Sequence, residues 1–374
     1  MAPKQPEFVI GSPDSLNLAG PSRMLSRFLV FAALFAALGL APAHAQTPAK
    51  KLFGAKTSAA DMRARSFGSY TRGCLAGGRM LPVNGPAWQA MRLSRNRNWG
   101  HPVMVDVVER LAIESKAQDG WPGLLVGDLA QPRGGPMLTG HKSHQVGLDA
   151  DIWFMPMPPR ELTWEERETI SAVSMLGADK LSINEEIWTD GHVRLLRRAA
   201  SYPEVSRILV HPVIKKAVCD ATGGKGNWLR KIRPWWGHHY HFHIRIDCPR
   251  GSGACANQNP PPAGAGCGKQ LDYWFVKLRN AMKPSKKKAK PRRRPPLTLA
   301  QLPSACRQVL NAKGESAPQY TLAGGVPDAR QRAAMGANSI PIEGAPLPMR
   351  KPQIETPIRK PQIELGVMSV PAQN

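Results

Sequence analysis

Two short clusters of histidine and aspartate, about a hundred residues apart, carry the chemistry that this sequence can support. They span residues 140–151 and 235–246 and together hold six of the 10 histidines in the chain. Imidazole and carboxylate groups are common zinc ligands, and a catalytic zinc site takes three of them and leaves one position open. His144, Asp151 and His243 can supply these three ligands.

The second cluster has the alternation of a β-strand. Residues 241–246 alternate between His241, His243, Arg245 and three apolar side chains, which predicts a half-buried strand. Alternate residues of a strand point to the same face, so His241 and His243 should lie side by side, roughly 7 Å apart along the strand. This spacing suits one histidine on a metal and its neighbour within reach of a water molecule on that metal. We count His243 among the three ligands, which leaves His241 beside them on the same face.

Asp151 lies in a second alternating stretch, in which Asp149, Asp151 and Trp153 interleave with apolar residues. A second strand there would hold Asp151 toward the same pocket, with His144 arriving from the turn around Gly147. We favour zinc over other metals because the ligand set is rich in nitrogen and has one carboxylate.

A structural zinc site or a cluster of surface histidines is the alternative interpretation. A structural site is normally closed by four protein ligands, and His141, His238 or His239 could fill the fourth position.

The beginning of the chain has the pattern of an export signal. Arg23 and Arg27 precede an apolar run over residues 28–40, and a small-x-small cleavage site ends at Ala45. An apolar run of about 13 residues is too short to cross a bilayer. We therefore predict a leader and signal peptide over residues 1–45, no transmembrane span, and a periplasmic mature protein.

Export changes the interpretation of the six cysteines, all of which follow the predicted signal: Cys74, Cys219, Cys248, Cys255, Cys267 and Cys306. An oxidising compartment favours three disulfides, for which 15 pairings are possible. A thiolate zinc site is disfavoured, because no C-x-x-C pair exists and neither histidine cluster contains a cysteine.

The formal net charge of +24 is spread unevenly, and eight of the twelve residues in the basic run 283–294 are Lys or Arg. Such a run stays solvated, and a plain extended linker over residues 283–296 is the simplest interpretation. In an exported protein, anionic envelope polymers or lipid head groups are more plausible partners than nucleic acid. Residues 312–374 are rich in proline and have the composition of a disordered tail.

Periodicity predicts the elements around the clusters. A helix is expected over residues 103–117, a short buried strand over 123–128, and a helix from Trp164 to Leu176 that begins with a capping box at Thr163. Residues 46–60 are expected to be a mobile N-terminus. Strands and helices interleave without a regular βαβ period, so we predict an α+β domain over residues 61–311.

Several longer motifs identify a family resemblance. Ser143-His144-Gln145-x-Gly147-Leu148-Asp149-x-Asp151, the Trp-rich stretch 228–246 and the Gly73-Cys74 pair closely resemble the penicillin-insensitive murein endopeptidases. These belong to the LAS group of zinc peptidases, with lysostaphin-type enzymes, D-Ala-D-Ala carboxypeptidases and the sonic hedgehog fold. The resemblance extends from about Ser66 to Cys306.

The resemblance implies a single domain with an antiparallel sheet core and a periplasmic enzyme that cuts D-alanyl-meso-diaminopimelyl cross-links of peptidoglycan. The family pattern implies zinc ligands at His144, Asp151 and His243, a catalytic base at His241, a further active-site histidine at His238, and metal contact at His141. It also implies the disulfides Cys74–Cys306, Cys219–Cys267 and Cys248–Cys255. A second family metal site is not expected here, because Ser182 replaces the histidine that would accompany Asp179.

The implied mechanism needs no serine nucleophile. Zinc would polarise the amide carbonyl and acidify its water, and His241 would move the proton to the leaving amine. A D,D-carboxypeptidase on the same fold, a non-catalytic zinc-binding or wall-binding protein, and a polyanion-binding protein that acts through the basic run are the alternatives.

Overall fold

The computed structural model of the protein describes residues 47–284 and 295–314. The predicted leader and signal peptide, most of the basic run and nearly all of the proline-rich tail lie outside the described residues. Within those ranges, no helix is both long and apolar enough to cross a membrane.

Short strands and helices alternate along the described chain. The strands are β1 (Arg65–Ser69), β2 (Arg72–Ala76), β3 (Arg79–Met80), β4 (Asn84–Gly85), β5 (Trp88–Ala90), β6 (Trp99–Gly100), β7 (Leu124–Val126), β8 (Asp149–Pro156), β9 (Val205–Val210), β10 (Ile232–Pro234) and β11 (His241–Ile246). The α-helices are α1 (Ala49–Gly54), α2 (Pro102–Asp119), α3 (Trp164–Thr169), α4 (Asp190–Ser201), α5 (Pro212–Thr222), α6 (Lys269–Met282) and α7 (Ala305–Asn311). Single 3₁₀ turns occur at Leu93–Arg95, Asn227–Lys231 and Leu299–Gln301.

A seven-stranded sheet positions both histidine clusters. Its strand order is β10-β9-β11-β8-β7-β5-β4. The four central strands β9, β11, β8 and β7 pair antiparallel with one another, the flanking pairs β10/β9 and β7/β5 are parallel, and the edge pair β5/β4 is antiparallel. The predicted α+β class with an antiparallel core is thus confirmed.

The strands that carry Asp151 and His243 are neighbours at the centre of this sheet. β8 and β11 pair so that His243 lies directly opposite Asp151 and His241 opposite Trp153. The interleaved residues Phe242, Ile244 and Ile246 belong to the main apolar core, together with side chains of α2 and α4. Register follows from this burial, because a slip of one residue would turn every apolar side chain out of the core.

The prediction that β11 is half-buried was wrong, since all six of its residues are buried. The polar face is covered as well as the apolar one. The ring centroid of His144 lies 4.7 Å from that of His243, and the guanidinium of Arg245 lies 4.0 Å from the centre of the Tyr70 ring. A loop packed over the polar face therefore removes it from water.

Helix α3 is shorter than predicted. Its capping box at Thr163 forms as expected, but the helix ends at Thr169 rather than continuing to Leu176. Arg92 explains the early end, because its side chain donates hydrogen bonds to the carbonyl oxygens of Arg167 and Ile170, at 2.7 and 2.5 Å. The Arg167 carbonyl would otherwise accept the next hydrogen bond of the helix.

The N-terminal segment is packed, contrary to the expectation of a mobile stretch over residues 46–60. Phe53 of α1 is fully buried, and the Ala49 amide donates to the Leu297 carbonyl at 2.8 Å. The three family-implied disulfides, Cys74–Cys306, Cys219–Cys267 and Cys248–Cys255, are all present. The first of them joins β2 to α7 and so ties both ends of the described chain into one core.

Candidate metal centre

The loop before β8 bends sharply and places the His144 side chain next to Asp151. His144 itself has a left-handed φ of 65°, and Gly147 follows with a φ of 71°. A Cβ at Gly147 would lie 2.6 Å from Leu75 Cδ2 and 2.8 Å from the His101 amide nitrogen, so only glycine fits there. The His144 amide donates to Asp149 Oδ2 at 2.9 Å, which fixes the bend against the strand that follows.

Three residues of the first cluster converge on one point. The ligand-type atoms of His141, His144 and Asp151 all lie within 4.8 Å of one another. His141 Nε2 lies 3.4 Å from Asp151 Oδ2, and His144 Nε2 lies 3.5 Å from Asp151 Oδ1. His144 is fully buried, and neither of its ring nitrogens has a hydrogen-bond partner among the described residues. Buried polar atoms are normally paired, so these nitrogens fit a role in binding a ligand such as a metal ion.

His243 joins the cluster from the facing strand. Its Nδ1 lies 3.0 Å from Asp151 Oδ1, and its Nε2 lies 2.8 Å from Asp149 Oδ1. Burial lowers the pKa of His243, but Asp149 and Asp151 outweigh that effect and raise the pKa above its ordinary value. With Nε2–H donated to Asp149, Nδ1 and Asp151 Oδ1 face each other and need a positive charge between them. A divalent metal fits this place, since binding it would displace a proton.

His241 lies beside the cluster without closing it. Its Nε2 lies 3.7 Å from Asp151 Oδ1, and both ring nitrogens are buried without a hydrogen-bond partner among the described residues. Burial lowers the pKa of His241 to about 4. The ring is therefore neutral at pH 7 and able to accept a proton.

His238 flanks His241 on the side of the Trp-rich stretch. It has a left-handed φ of 54°, and its Nδ1 donates to the Trp236 carbonyl at 2.7 Å. The ring centroids of His238 and His241 are 4.9 Å apart. Burial, followed by the neighbouring His243 and His241, lowers the pKa of His238 to about 3. With Nδ1 donated to a carbonyl, Nε2 is the nitrogen left for a substrate.

Two buried aspartates complete the surroundings and were not singled out from the sequence. Asp149 accepts hydrogen bonds from His243, from the His144 amide and from Arg245 Nε at 2.6 Å. Burial raises its pKa, but Arg245 and His243 outweigh this and hold the pKa well below its ordinary range. Its alternation with Asp151, on one face of the same strand, was the signal available in the sequence.

Asp128, just after β7, is the second of these aspartates. Its Oδ2 lies 3.3 Å from His141 Nε2 and accepts from Arg97 at 2.8 Å. Burial raises the pKa of Asp128, but His141 and Arg97 outweigh it and hold the pKa below its ordinary range. His141 is thus held between two carboxylates, those of Asp128 and Asp151.

The sequence-predicted residues His141, His144, Asp151, His238, His241 and His243 are therefore all brought together in one site, in which His141 and His238 are only partly buried. His239 lies apart, with its Nδ1 2.9 Å from Ser174 Oγ. Asp179 also lies apart, in a loop where its Oδ1 accepts from Ser182 Oγ at 2.8 Å. The site combines imidazole nitrogens, one central carboxylate and unpaired ring nitrogens, and this donor set fits a divalent metal ion.

The chain is similar in sequence to one family of known proteins. Residues 66–311 match the family model described as penicillin-insensitive murein endopeptidase. A penicillin-insensitive murein endopeptidase of Haemophilus influenzae is 40% identical over 254 residues, which cover 67% of this chain and 84% of that protein. Proteins of the same name are 36% identical over 279 residues in Klebsiella pneumoniae and 34% identical over 280 residues in Escherichia coli. These two alignments each cover 75% of this chain and 96% of the relative.

Proposed function

The chain belongs to the penicillin-insensitive murein endopeptidase family, and we propose from this membership that it hydrolyses the peptide cross-links of peptidoglycan. The bond we assign is the D-alanyl-meso-diaminopimelyl amide. Three disulfides support a location outside the cytoplasm, because such bonds persist in oxidising compartments. The periplasm, where peptidoglycan lies, is the location we propose.

We propose that zinc is the resident metal and that His144, Asp151 and His243 hold it, with His141 as an additional contact. The observation that carries this assignment is the 3.0 Å approach of His243 Nδ1 to Asp151 Oδ1, with His243 Nε2 already bound to Asp149. When bound, zinc supplies Lewis acidity, which polarises a carbonyl and lowers the pKa of water toward about 7. The antiparallel centre of the sheet, which carries Asp151 and His243, also supports the LAS-type fold as a proposal.

His241 is the proposed general base. It is neutral at pH 7 because burial lowers its pKa to about 4, and its Nε2 lies 3.7 Å from Asp151 Oδ1. From this place it would take the proton of the attacking water and return it to the leaving amine, a contribution of roughly 10²–10⁴-fold. His238, next to His241, would offer Nε2 to the developing charge or to the leaving group.

No serine takes part in this scheme, so a β-lactam has no nucleophile to acylate. Incubation of active enzyme with penicillin, followed by intact-mass measurement, should show no adduct and no loss of activity. A covalent penicillin adduct that removed activity would contradict the scheme.

Digestion of purified cross-linked muropeptides tests the function directly. Mass spectrometry should show cross-linked dimers converted to monomers, with the activity lost in the presence of a chelator and restored by zinc. Release of terminal D-alanine from uncross-linked peptides, with dimers left intact, would favour a D,D-carboxypeptidase. Metal binding without any cleavage would favour a non-catalytic protein of the cell wall.

A further inference from the structure

Exposed aromatic side chains gather on one surface next to the candidate site. Among the described residues, the large aromatics that are exposed are Trp235, Trp236, Tyr240 and Tyr273. Trp235 and Trp236 are 50% and 43% exposed. Their ring centroids lie 5.8 and 5.5 Å from that of Trp274, so the three indoles form one surface. We call Trp235, Trp236 and Trp274 the aromatic platform.

The platform is held in place from beneath. Trp274 lies on α6 and is only partly exposed, and both other indoles pack against it. The Trp235 amide donates to the Val210 carbonyl at 2.8 Å, which joins the platform to the central sheet. A contiguous exposed apolar patch of this kind is typical of a binding site.

The platform is continuous with the candidate metal centre. The Trp236 carbonyl accepts the hydrogen bond from His238 Nδ1 at 2.7 Å, and the His238 ring lies 4.9 Å from that of His241. A substrate placed at His241 and extending beyond His238 would therefore meet the platform next. Cross-link peptides are attached to glycan strands, so the rest of such a substrate is carbohydrate.

We propose that the aromatic platform binds sugar rings of the glycan strand, an inference that rests on the proposed function. A pyranose ring presents one face of C–H groups, and the negative face of an indole attracts such groups. Lys277 borders the platform, with its Nζ 5.4 Å from the centre of the Trp274 ring and 4.6 Å from that of Tyr273. Its ammonium group can donate to sugar hydroxyl or acetamido oxygens while the indoles cover the apolar face.

The decisive measurement compares two substrates that differ only in sugar. One is a cross-linked muropeptide dimer that carries its disaccharides, and the other is the same dimer after an amidase has removed them. The Trp235→Ala/Trp236→Ala double variant should lower kcat/KM about tenfold on the first substrate, mainly through KM, and leave the second within about twofold. The Trp235→Phe/Trp236→Phe variant should retain most of the activity, and Ile113→Ala, an exposed truncation on α2, should change neither.

A binding assay separates this inference from the proposed function. Peptide-free glycan strands should bind the full-length wild-type protein treated with chelator and should not bind the double alanine variant. Circular dichroism should show that both proteins are folded. Equal losses on the two dimers, or glycan binding unchanged in the variant, would overturn the proposal. If the double alanine variant lost binding to anionic lipid vesicles but kept its binding to glycan strands, the proposal would be overturned in favour of a membrane surface. If the wild-type protein cleaved neither dimer, the proposed function would fail while the glycan assay still decided this inference.

Discussion

Two buried histidines of this protein, His192 and His241, share their burial but not their partners. They are 4% and 6% exposed, and burial lowers the pKa of each to about 4. His192 lies at the start of α4, where its Nδ1 accepts from the Thr189 amide at 3.0 Å and its ring stacks on Trp188 with centroids 4.7 Å apart. Neither nitrogen of His241 has such a partner among the described residues.

The comparison shows that burial and a lowered pKa do not by themselves mark a site. His192 packs against aromatic side chains, and its ring caps the N-terminus of α4. Around His241, four other histidines and the carboxylate of Asp151 come together. The ring nitrogens of His144 and His241 have no hydrogen-bond partner among the described residues. Unpaired ring nitrogens that face a shared carboxylate therefore distinguish the candidate metal centre around His241 from the structural surroundings of His192.

The largest expected effect comes from removing the central carboxylate. Asp151→Asn should abolish tight metal binding and reduce cross-link cleavage by roughly 10³-fold or more, because the stabilisation supplied by the metal is worth several kcal/mol. Metal content after dialysis, measured by mass spectrometry, and muropeptide turnover check this. Asp119→Asn, which breaks an ion pair with Arg198 away from the site, is the matched control and should keep its metal. Full metal occupancy in Asp151→Asn would refute the ligand assignment.

Removing the proposed base should separate catalysis from metal binding. His241→Ala should retain the metal and lose roughly 10²–10⁴-fold in kcat, because only the proton transfer is removed. His239→Ala is the control, since His239 is two residues away and contacts Ser174 instead of the cluster. An unchanged kcat in His241→Ala would remove His241 from the mechanism.

A smaller effect is expected from the aspartate behind His243. Asp149→Asn should weaken metal affinity by about 10–100-fold, because the amide can present its nitrogen to His243 Nε2 and no longer fixes which ring nitrogen faces the metal. Competition with a chelating dye measures the affinity, and circular dichroism confirms the folded fraction. Affinity equal to that of the wild-type protein would show that Asp149 is not needed to orient His243.

The smallest effect on catalysis is expected at His192. His192→Phe should leave metal content and kcat unchanged but flatten the pH dependence of stability. The unfolded histidine has a pKa near 6.5 and the folded one about 4, so the unfolded chain binds the extra proton between these values. The contribution of His192 is therefore present above about pH 6.5 and is lost as the pH falls toward 4, at up to about 1.4 kcal/mol per pH unit.

Urea unfolding of the wild-type and His192→Phe proteins at several pH values between 4.5 and 7.5 measures this difference. The gap between the two free energies of unfolding should change with pH across that window. A constant gap would show that His192 is equally protonated in the folded and unfolded chains.

The local pattern of residues was enough to predict much of the molecule. Strict alternation over residues 241–246 predicted a strand with His241 and His243 on one face, because side chains of a strand alternate between faces. The capping box at Thr163 likewise predicted where α3 begins, since its hydrogen bonds join residues three positions apart.

Only the tertiary structure decided the features that depend on distant residues. Arg92 ends α3 by occupying carbonyls some 75 positions away, and Asp149 orients His243 across 94 positions. Likewise, the loop that carries His144 packs over the polar face of β11. Asp128 contacts His141 and so helps to position it beside Asp151. Periodicity reports how a segment partitions between water and core, but it does not report which other segment covers it, and that contact sets the burial and charge on which the site depends.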